Sequence, residues 1–231
     1  MSFKDNFSET DPRLKLFANE AEVFYFTAKL LTEIIQTTID SKQNCNVIVA
    51  AGRSITKSIE CLSPKSIEWQ RVNWFLADER CVAIDDPQRN DLQIRQVLKR
   101  TLGNTYGNVN STRTDIDLEE AVKEYATRIE RINMFDFCLL GMGDDGHIAS
   151  LLPGHQAIKS TEKCCLVSDS PNPPSQRITL SMGALRNTKN RIVVTAGATK
   201  RQAVTDFRNS PQTPVRIFEP TVIVLDQAAS R

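Results

Sequence analysis

The sequence predicts an α/β fold, a Rossmann-like, mostly parallel open sheet with helices on both faces. Two observations lead to this prediction. Short apolar runs with the character of buried strands recur along the chain. The segments between them carry apolar residues at helical spacing and are long enough to be the helices that connect parallel strands.

The predicted elements follow one another in this alternating order. A first amphipathic helix covers about residues 18–40, and a further helix begins after Gly52. Longer helical patterns lie at 89–100 and 117–132. A charged loop follows the second strand, and the polar, proline-rich segment 168–175 joins two parts of one fold. The strands are predicted at residues 46–51, 72–77, 135–140, 177–180, 191–196 and 221–225.

Composition narrows the class of protein further. The 231 residues include 29 Lys and Arg against 28 Asp and Glu, and 40% are hydrophobic, which is typical of a soluble globular protein. With no repeat and no strong linker, we expect a single α/β domain over residues 1–231. Acidic and basic residues are interleaved, which argues against a nucleic-acid partner.

Targeting signals and metal ligands are scarce in the chain. No apolar run approaches the roughly 18–20 residues of a membrane helix, and the N-terminus lacks an apolar signal core, so we expect a cytoplasmic protein with no membrane partner. The six cysteines form no C-x-x-C pair and are interpreted as reduced. Only His147 and His155 could join them as imidazole ligands, so no metal site is expected.

Candidate site residues should follow the strands, because ligands of open α/β sheets bind outside the carboxyl ends of the strands. After the first strand, Gly52, Arg53 and Ser54 form a small-residue turn that opens a helix. Backbone N–H groups at a helix start, together with these side chains, suit a phosphate. The same residues also fit a plain strand-to-helix turn capped by Ser54.

Charged residues follow two other strands. Asp78, Glu79 and Arg80 stand together at the end of the second strand, where a carboxylate and a guanidinium would face a cleft or simply be solvated. Lys200 opens a helix after the late strand 191–196. It is either a solvated lysine or a second positive charge near the anion held by Arg53, and neither reading prevails from the sequence.

The glycine-rich segment after the third strand is the strongest signal for chemistry. It reads GMGDDGH from Gly141 to His147, and Gly143 and its neighbours allow the backbone to approach a ligand closely. His147 then stands at the expected mouth of the site. An imidazole is the side chain best suited to proton transfer near neutral pH, so we interpret His147 as a functional residue.

In this order, these segments resemble the 6-phosphogluconolactonase family. The resemblance spans about residues 18–226 and rests on VIVAAGRS, VNWFLADERCV with Asn90 downstream, FDFCLLGMGDDGHIASLLPG, the RITL segment at 177–180 and AGATK. It implies a cofactor-free, esterase-type hydrolase of 6-phosphogluconolactone, with an α/β sheet related to the sugar-phosphate isomerases and deaminases. We expect it to act as a monomer on a small sugar-phosphate lactone.

The resemblance also implies roles for individual residues. His147 would be the general base, with Asp78 and Arg80 also in the active site. We expect Asp78 to orient His147 or Arg80, while either Arg80 or backbone N–H groups would face the carbonyl oxygen as negative charge grows on it. The residues assigned to the substrate and its phosphate are Gly52, Arg53, Ser54, Lys200, Asn90 and Gly143.

Three positions depart from the family pattern. Ala51 and Ile55 stand in the first turn, where the family commonly has a second glycine and often a proline. Arg89 stands before Asn90, where the family usually has serine. An added guanidinium at position 89 would either reinforce phosphate binding or be a solvated residue at a helix start, and we favour the second interpretation.

Three other functions are alternatives to this one. A glucosamine-6-phosphate deaminase shares the D-G-H-I-A core, but its D-E-Y and H-I-A-F-N-E-P motifs are replaced here by Asp78-Glu79-Arg80 and by a segment without a carboxylate after His147. A noncatalytic sugar-phosphate sensor is suggested by Ala51 and Arg89 but would have no need of a positioned base. A nucleotide-binding oxidoreductase would need a G-x-G-x-x-G turn, which the chain lacks.

Overall fold

The computed structural model describes residues 11–65 and 67–230. Within them the strands are β1 Leu14–Phe17, β2 Cys45–Val49, β3 Val72–Leu76, β4 Asp78–Arg80, β5 Asn108–Asn110, β6 Phe135–Gly141, β7 Cys164–Val167, β8 Arg177–Leu180, β9 Thr188–Thr195 and β10 Val222–Asp226. The helices are α1 Glu20–Lys42, α2 Arg53–Glu60, α3 Asn90–Leu102, α4 Leu118–Glu130, α5 Met182–Arg186, α6 Arg201–Asn209, α7 Pro214–Ile217 and α8 Gln227–Ser230.

The main sheet is parallel throughout and has seven strands in the order β1-β10-β9-β6-β2-β3-β5. Strands β2, β6 and β9 lie at its centre. Because neighbouring strands run parallel, the chain must cross from one end of the sheet to the other between them, and such crossover connections usually contain helices. The prediction of a mostly parallel α/β sheet is therefore confirmed. Central strands run with their carboxyl ends at one edge, where Gly52 and the segment after Gly141 emerge together.

Alternation along β2 explains how the sheet is buried on both faces. Val47 and Val49 pack into a cluster with α1, α2 and α3, whereas Ile48 packs into a second cluster with α4 and α6. Successive strand side chains point to opposite faces, so a strand in the middle of two helix layers must be apolar at every position. This is why VIV at 47–49 is a continuous apolar run.

Helix α1 begins where the sequence supplies a cap. The Asn19 side chain accepts a hydrogen bond from the Glu22 backbone N–H at 3.1 Å, which contributes about 1 kcal/mol in typical helices. Buried residues then recur at helical spacing from Val23 to Ile39. The observed bounds differ by two residues from the predicted 18–40.

A second, smaller sheet lies beside the first and corrects two predictions. Strands β4, β8 and β7 pair antiparallel. The charged segment Asp78–Arg80 is thus a short strand and not a loop, and residues 177–180 belong to this sheet rather than to the parallel one. The Leu180 N–H donates to the Ala77 carbonyl at 2.8 Å, which joins β8 to the end of β3.

Besides β4, three strands were not predicted. β1 and β5 lie at the two edges of the main sheet, and each has only half-buried or exposed residues, so neither shows the apolar run of a central strand. β7 is CCLV and is short. The proline-rich loop 168–175 follows it and leads into β8, which agrees with the predicted loop.

The remaining fold-level observations concern membrane helices and cysteines. Among the helices within residues 11–65 and 67–230, none combines the length and the apolar character that crossing a bilayer demands. All six cysteines lie in the described part of the chain and carry free thiols. Burial raises the pKa of the Cys45 thiol to about 12, so it packs as a neutral apolar group.

Candidate active site

A cavity of about 700 Å³ opens at the carboxyl ends of the central strands. It lies where open α/β sheets bind their ligands, and its size suits a small molecule. Every site residue predicted from the sequence lines it. These residues are His147, Asp78, Arg80, Gly52, Arg53, Ser54, Lys200, Asn90 and Gly143.

A tight turn after β6 presents His147 to the cavity. The Gly143 N–H donates to the His147 carbonyl at 2.9 Å, and the Gly146 N–H donates to the Gly143 carbonyl at 3.1 Å. Gly146 adopts a φ of 82°, which favours glycine. A Cβ at position 143 would lie 2.1 Å from His147 Nδ1, so only glycine leaves room for the imidazole.

The orienting carboxylate of His147 is Asp145. Asp145 Oδ1 accepts the His147 backbone N–H at 3.1 Å and lies 2.6 Å from His147 Nδ1. An ionised carboxylate only accepts hydrogen bonds, so Nδ1 carries the proton and Nε2 of the neutral ring keeps its lone pair. Burial raises the pKa of Asp145, but hydrogen bonds and charge from His147 outweigh burial, and the net pKa is lowered. Asp145 is therefore ionised at neutral pH.

Asp78 does not have the partner that we expected. Its Oδ2 accepts a hydrogen bond from Ser150 Oγ at 2.7 Å, and its backbone carbonyl accepts one from Asn90 Nδ2 at 3.0 Å. The prediction that Asp78 orients His147 or Arg80 is wrong, because β4 aims this buried carboxylate at the segment after the histidine. Asp145 was missed, although an acid two residues before a histidine in a glycine turn is a usable sequence signal.

Two arginines lie side by side on neighbouring strands of the small sheet. Arg80 on β4 pairs in register with Arg177 on β8, and both line the cavity. Arg80 Nη1 donates to the Gln88 carbonyl at 2.7 Å, and Arg177 Nη2 donates to the Asn172 carbonyl at 3.0 Å. Like charges opposite each other destabilise a strand pair, so the wall favours an anionic ligand.

Arg177 is a cavity residue that the sequence did not identify. Burial lowers its pKa, the Asp78 charge raises it and Arg80 lowers it. Its signal was position alone, as the first residue of the RITL strand. Because β8 was assigned to the parallel sheet, Arg177 was not expected to face the cavity.

The first turn forms another part of the cavity wall. Gly52 precedes α2 with a φ of 142°, and no side chain caps the helix start. The free N–H groups at the start of α2, together with Ser54, suit an anion at this end of the cavity. Arg53 lines the cavity, but its side chain is 59% exposed and its Nη2 pairs with Glu20 at 2.6 Å.

Lys200 connects the late strand to the histidine turn. Its Nζ donates to the Met142 carbonyl at 2.7 Å and pairs with Asp144 Oδ1 at 2.7 Å. The side chain is 22% exposed and lies at the cavity wall. The ammonium group of Lys200 is therefore held against the turn that carries His147.

Arg89 corrects one further interpretation. We favoured a solvated residue at a helix start, but its side chain is fully buried. Nε donates to Asp91 Oδ1 at 2.8 Å, and Nη2 donates to the Thr112 carbonyl at 2.9 Å. It does not line the cavity.

Fold and site together define a class: an α/β enzyme fold with a histidine–carboxylate pair and several cations around one strand-end cavity. Comparison with known proteins agrees with that class. A family model described as glucosamine-6-phosphate isomerases/6-phosphogluconolactonase matches residues 18–227. The chain belongs to this family.

Individual relatives are similar along most of the chain. The 6-phosphogluconolactonase of Streptomyces coelicolor is 31% identical over 196 residues, which are 77% of this chain and 75% of the relative. The crystal structure of 6-phosphogluconolactonase from Thermotoga maritima has a TM-score of 0.82 at 25% identity and covers 92% of this chain and 97% of its own. A monomeric glucosamine-6-phosphate deaminase has a TM-score of 0.81 at 16% identity, covering 94% and 98%, and shares the fold.

Proposed function

We propose that this protein hydrolyses 6-phospho-D-glucono-1,5-lactone to 6-phospho-D-gluconate in the oxidative pentose phosphate pathway. The observation that carries this proposal is the His147–Asp145 pair, with Nδ1 bound at 2.6 Å and Nε2 left to act as a base, in a cavity rich in cations. Relatives named 6-phosphogluconolactonase support the choice of substrate.

The reaction needs one base and no covalent intermediate. His147 Nε2 takes a proton from water as the water oxygen bonds to the lactone carbonyl carbon. The tetrahedral intermediate then breaks the bond between that carbon and the ring oxygen, and the imidazolium returns the proton to the departing oxygen. Asp145 stabilises the imidazolium and fixes the ring, as a carboxylate beside a catalytic histidine does.

The cations around the cavity have two tasks in this proposal. Arg80 and Arg177 stabilise the oxygen on which negative charge develops, since preorganised donors act strongly in a site shielded from water. The first turn, with Gly52 and Ser54, and Lys200 bind the phosphate. Phosphate binding far from the reacting carbon holds the lactone in position, which contributes to the rate through orientation.

Asp78 and Asn90 complete the wall in a supporting role. Asn90 holds the Asp78 backbone, while Asp78 holds Ser150 in the segment after His147. Gly143 was assigned to the substrate, but its contribution here is to leave room for the imidazole, because it has no side chain. We propose no metal or organic cofactor in this mechanism.

The test is proton release from 6-phosphogluconolactone generated in situ, measured above the spontaneous opening, for wild type and H147A. Wild type should accelerate opening and H147A should lose at least about 100-fold of that acceleration, the usual contribution of a general base. Ammonia release from glucosamine 6-phosphate tests the deaminase in parallel. Wild type that binds 6-phosphogluconate without accelerating lactone opening would instead be a sensor.

The remaining expectations from the sequence accompany this function. We propose a single α/β domain that acts as a monomer in the cytoplasm, with a small sugar phosphate as its partner and neither nucleic acid nor membrane. The interleaved charges support the absence of a nucleic-acid partner. Light scattering coupled to gel filtration tests the monomer, for which a mass near 25.9 kDa is expected.

A further inference from the structure

We propose that Arg89 is a positioning residue, which favours the ionised form of the Glu79 carboxylate so that this carboxylate can hold Arg80 and Asn90 in place at the cavity. The main test of this proposal measures lactone hydrolysis, so the proposal rests on the proposed function. Neither Arg89 nor Glu79 lines the cavity, so any effect on the reaction must pass through their neighbours.

Glu79 caps α3 from outside the helix. Its Oε1 accepts the Asn90 N–H at 2.7 Å and its Oε2 accepts the Asp91 N–H at 2.9 Å. The residue at the helix start is Arg89, whose side chain makes no capping hydrogen bond. Two N–H groups of the first turn therefore depend on a carboxylate that comes from β4.

The same carboxylate fixes the strand that carries Arg80. Glu79 Oε1 also accepts the Arg80 backbone N–H at 2.8 Å. One side chain thereby joins β4 to the start of α3, and both residues that it holds line the cavity. Asn90 passes the constraint on, because its Nδ2 donates to the Asp78 carbonyl.

Arg89 supplies the countercharge for this buried group. Both side chains are 0% exposed, and Arg89 Nη2 lies 3.4 Å from Glu79 Oε2. Hydrogen bonds to Asp91, the Thr112 carbonyl and Thr114 Oγ1 hold the guanidinium in position. A buried carboxylate without such a partner becomes protonated at neutral pH.

The groups that face Glu79 make Arg89 its dominant charge partner. Burial raises the pKa of Glu79 to about 7, and the Arg89 charge is the largest influence that lowers it, followed by the three backbone N–H groups. The other titratable or charged groups near it are Asp91 of α3, Arg80 and Cys81 beside it in the chain, and Tyr125 of α4.

Protonation would disturb the cap. When the carboxyl group is protonated, one of its two oxygens carries the proton and becomes a donor, so the group accepts hydrogen bonds from the three N–H groups less well. Without Arg89, Glu79 should remain protonated to higher pH, and Arg80 and Asn90 should be misplaced over that range. Activity should then return as the pH rises and the carboxylate ionises.

The test is the pH profile of kcat/KM for lactone hydrolysis in R89M, which keeps much of the length of the side chain and removes its charge. We expect the acid limb to move up by about one pH unit, with a loss of about tenfold near neutral pH that recovers in alkali. R95M is the matched control. Arg95 lies near Asp91 at 3.6 Å and is 40% exposed, so this variant should keep the wild-type limb.

The double variant E79Q/R89M separates positioning from packing. The amide that replaces the Glu79 carboxylate cannot ionise in this range, so the double variant should lose the upward shift, and its acid limb should lie at or below the wild-type position even if the absolute rate is lower. An R89M limb that coincides with that of wild type would overturn the proposal. A double variant that keeps the R89M shift would overturn it too, because Glu79 would then not be the group that titrates.

A variant that fails to fold and a proposed function that fails give different results. If R89M does not fold near neutral pH by circular dichroism, recovery of the fold in E79Q/R89M supports the proposal and failure of the double variant to fold overturns it. If wild type does not hydrolyse the lactone, the proposed function fails. The pH dependence of 6-phosphogluconate affinity in the same variants, by calorimetry, then tests Arg89 with the same expected shift.

Discussion

His147 Nδ1 and Asp145 Oδ1 lie 2.6 Å apart within one glycine-bounded turn. The same Asp145 oxygen accepts the His147 backbone N–H, so the carboxylate fixes both the ring and the backbone of the histidine. Both contacts of the pair lie within residues 143–147, and Lys200 holds the same turn from outside through the Met142 carbonyl and Asp144. The geometry of the pair is therefore set mainly within the turn after β6.

The first prediction concerns the D145N variant. An amide can donate to Nδ1 and so stabilise the tautomer that has its proton on Nε2, where the base is needed. We expect kcat to fall by about 10²–10⁴-fold with little change in KM, the range for loss of general-base catalysis. The control is D144N, which removes the partner of Lys200 and not that of His147. Equal kcat values for D145N and wild type would refute the tautomer argument.

The second prediction concerns G143A. The new Cβ would come within 2.1 Å of the imidazole, so the ring must leave its position beside Asp145. Turnover should fall by about 100-fold or more, the contribution of a positioned base. G141A is the matched control, since a Cβ there meets no atom within 4 Å. Equal losses in the two variants would show that the effect is not displacement of the ring.

The sequence predicted the centre of this molecule better than its margins. Strands buried on both faces leave an uninterrupted apolar run, so β2, β3 and β6 could be placed within one or two residues. The edge strands β1 and β5 lack that run and were missed. The antiparallel sheet was missed for another reason: β4 has three residues, all charged, and its pairing with β8 spans about 100 residues of sequence.

The site divides in the same way. Position after a strand was enough to bring His147, Lys200 and Gly52 to one cavity. Contacts between side chains could not be predicted, because they depend on register and on buried polar partners. Asp78 therefore received the wrong partner, and Arg89 was assigned to solvent although it is buried against Glu79.

The third prediction compares two cations at the phosphate end. K200A should raise KM by about tenfold or more and change kcat less, because the ammonium group binds substrate without touching the reacting carbon. R53A should raise KM by a smaller factor, because Arg53 is 59% exposed and already paired with Glu20. K57A controls for charge on α2, since Lys57 pairs with Glu60 and does not line the cavity. A larger KM effect in R53A than in K200A would reverse the assignment of the two cations.

The fourth prediction concerns stability against pH and uses Glu79 alone. Its pKa in the folded protein is raised from 4.5 to about 7 by burial, so between these values the folded state holds a proton that the unfolded state has lost. The contribution of Glu79 to stability is full below the unfolded pKa and is lost as the pH rises through the folded pKa.

Because the pKa of Glu79 is raised in the folded state, the difference in the free energy of unfolding between wild type and E79Q has a defined direction as the pH changes. The free energy of unfolding of wild type should fall relative to that of E79Q as the pH rises from about 5 to 8, because only the carboxylate must be ionised while buried. Urea denaturation at several pH values measures the difference between the two proteins, and other titrating groups cancel in it. A difference that stays constant over this range would mean that Glu79 ionises at its ordinary pKa. Burying the ionised Glu79 carboxylate, which is the form that holds Arg80, would then not lower the free energy of unfolding.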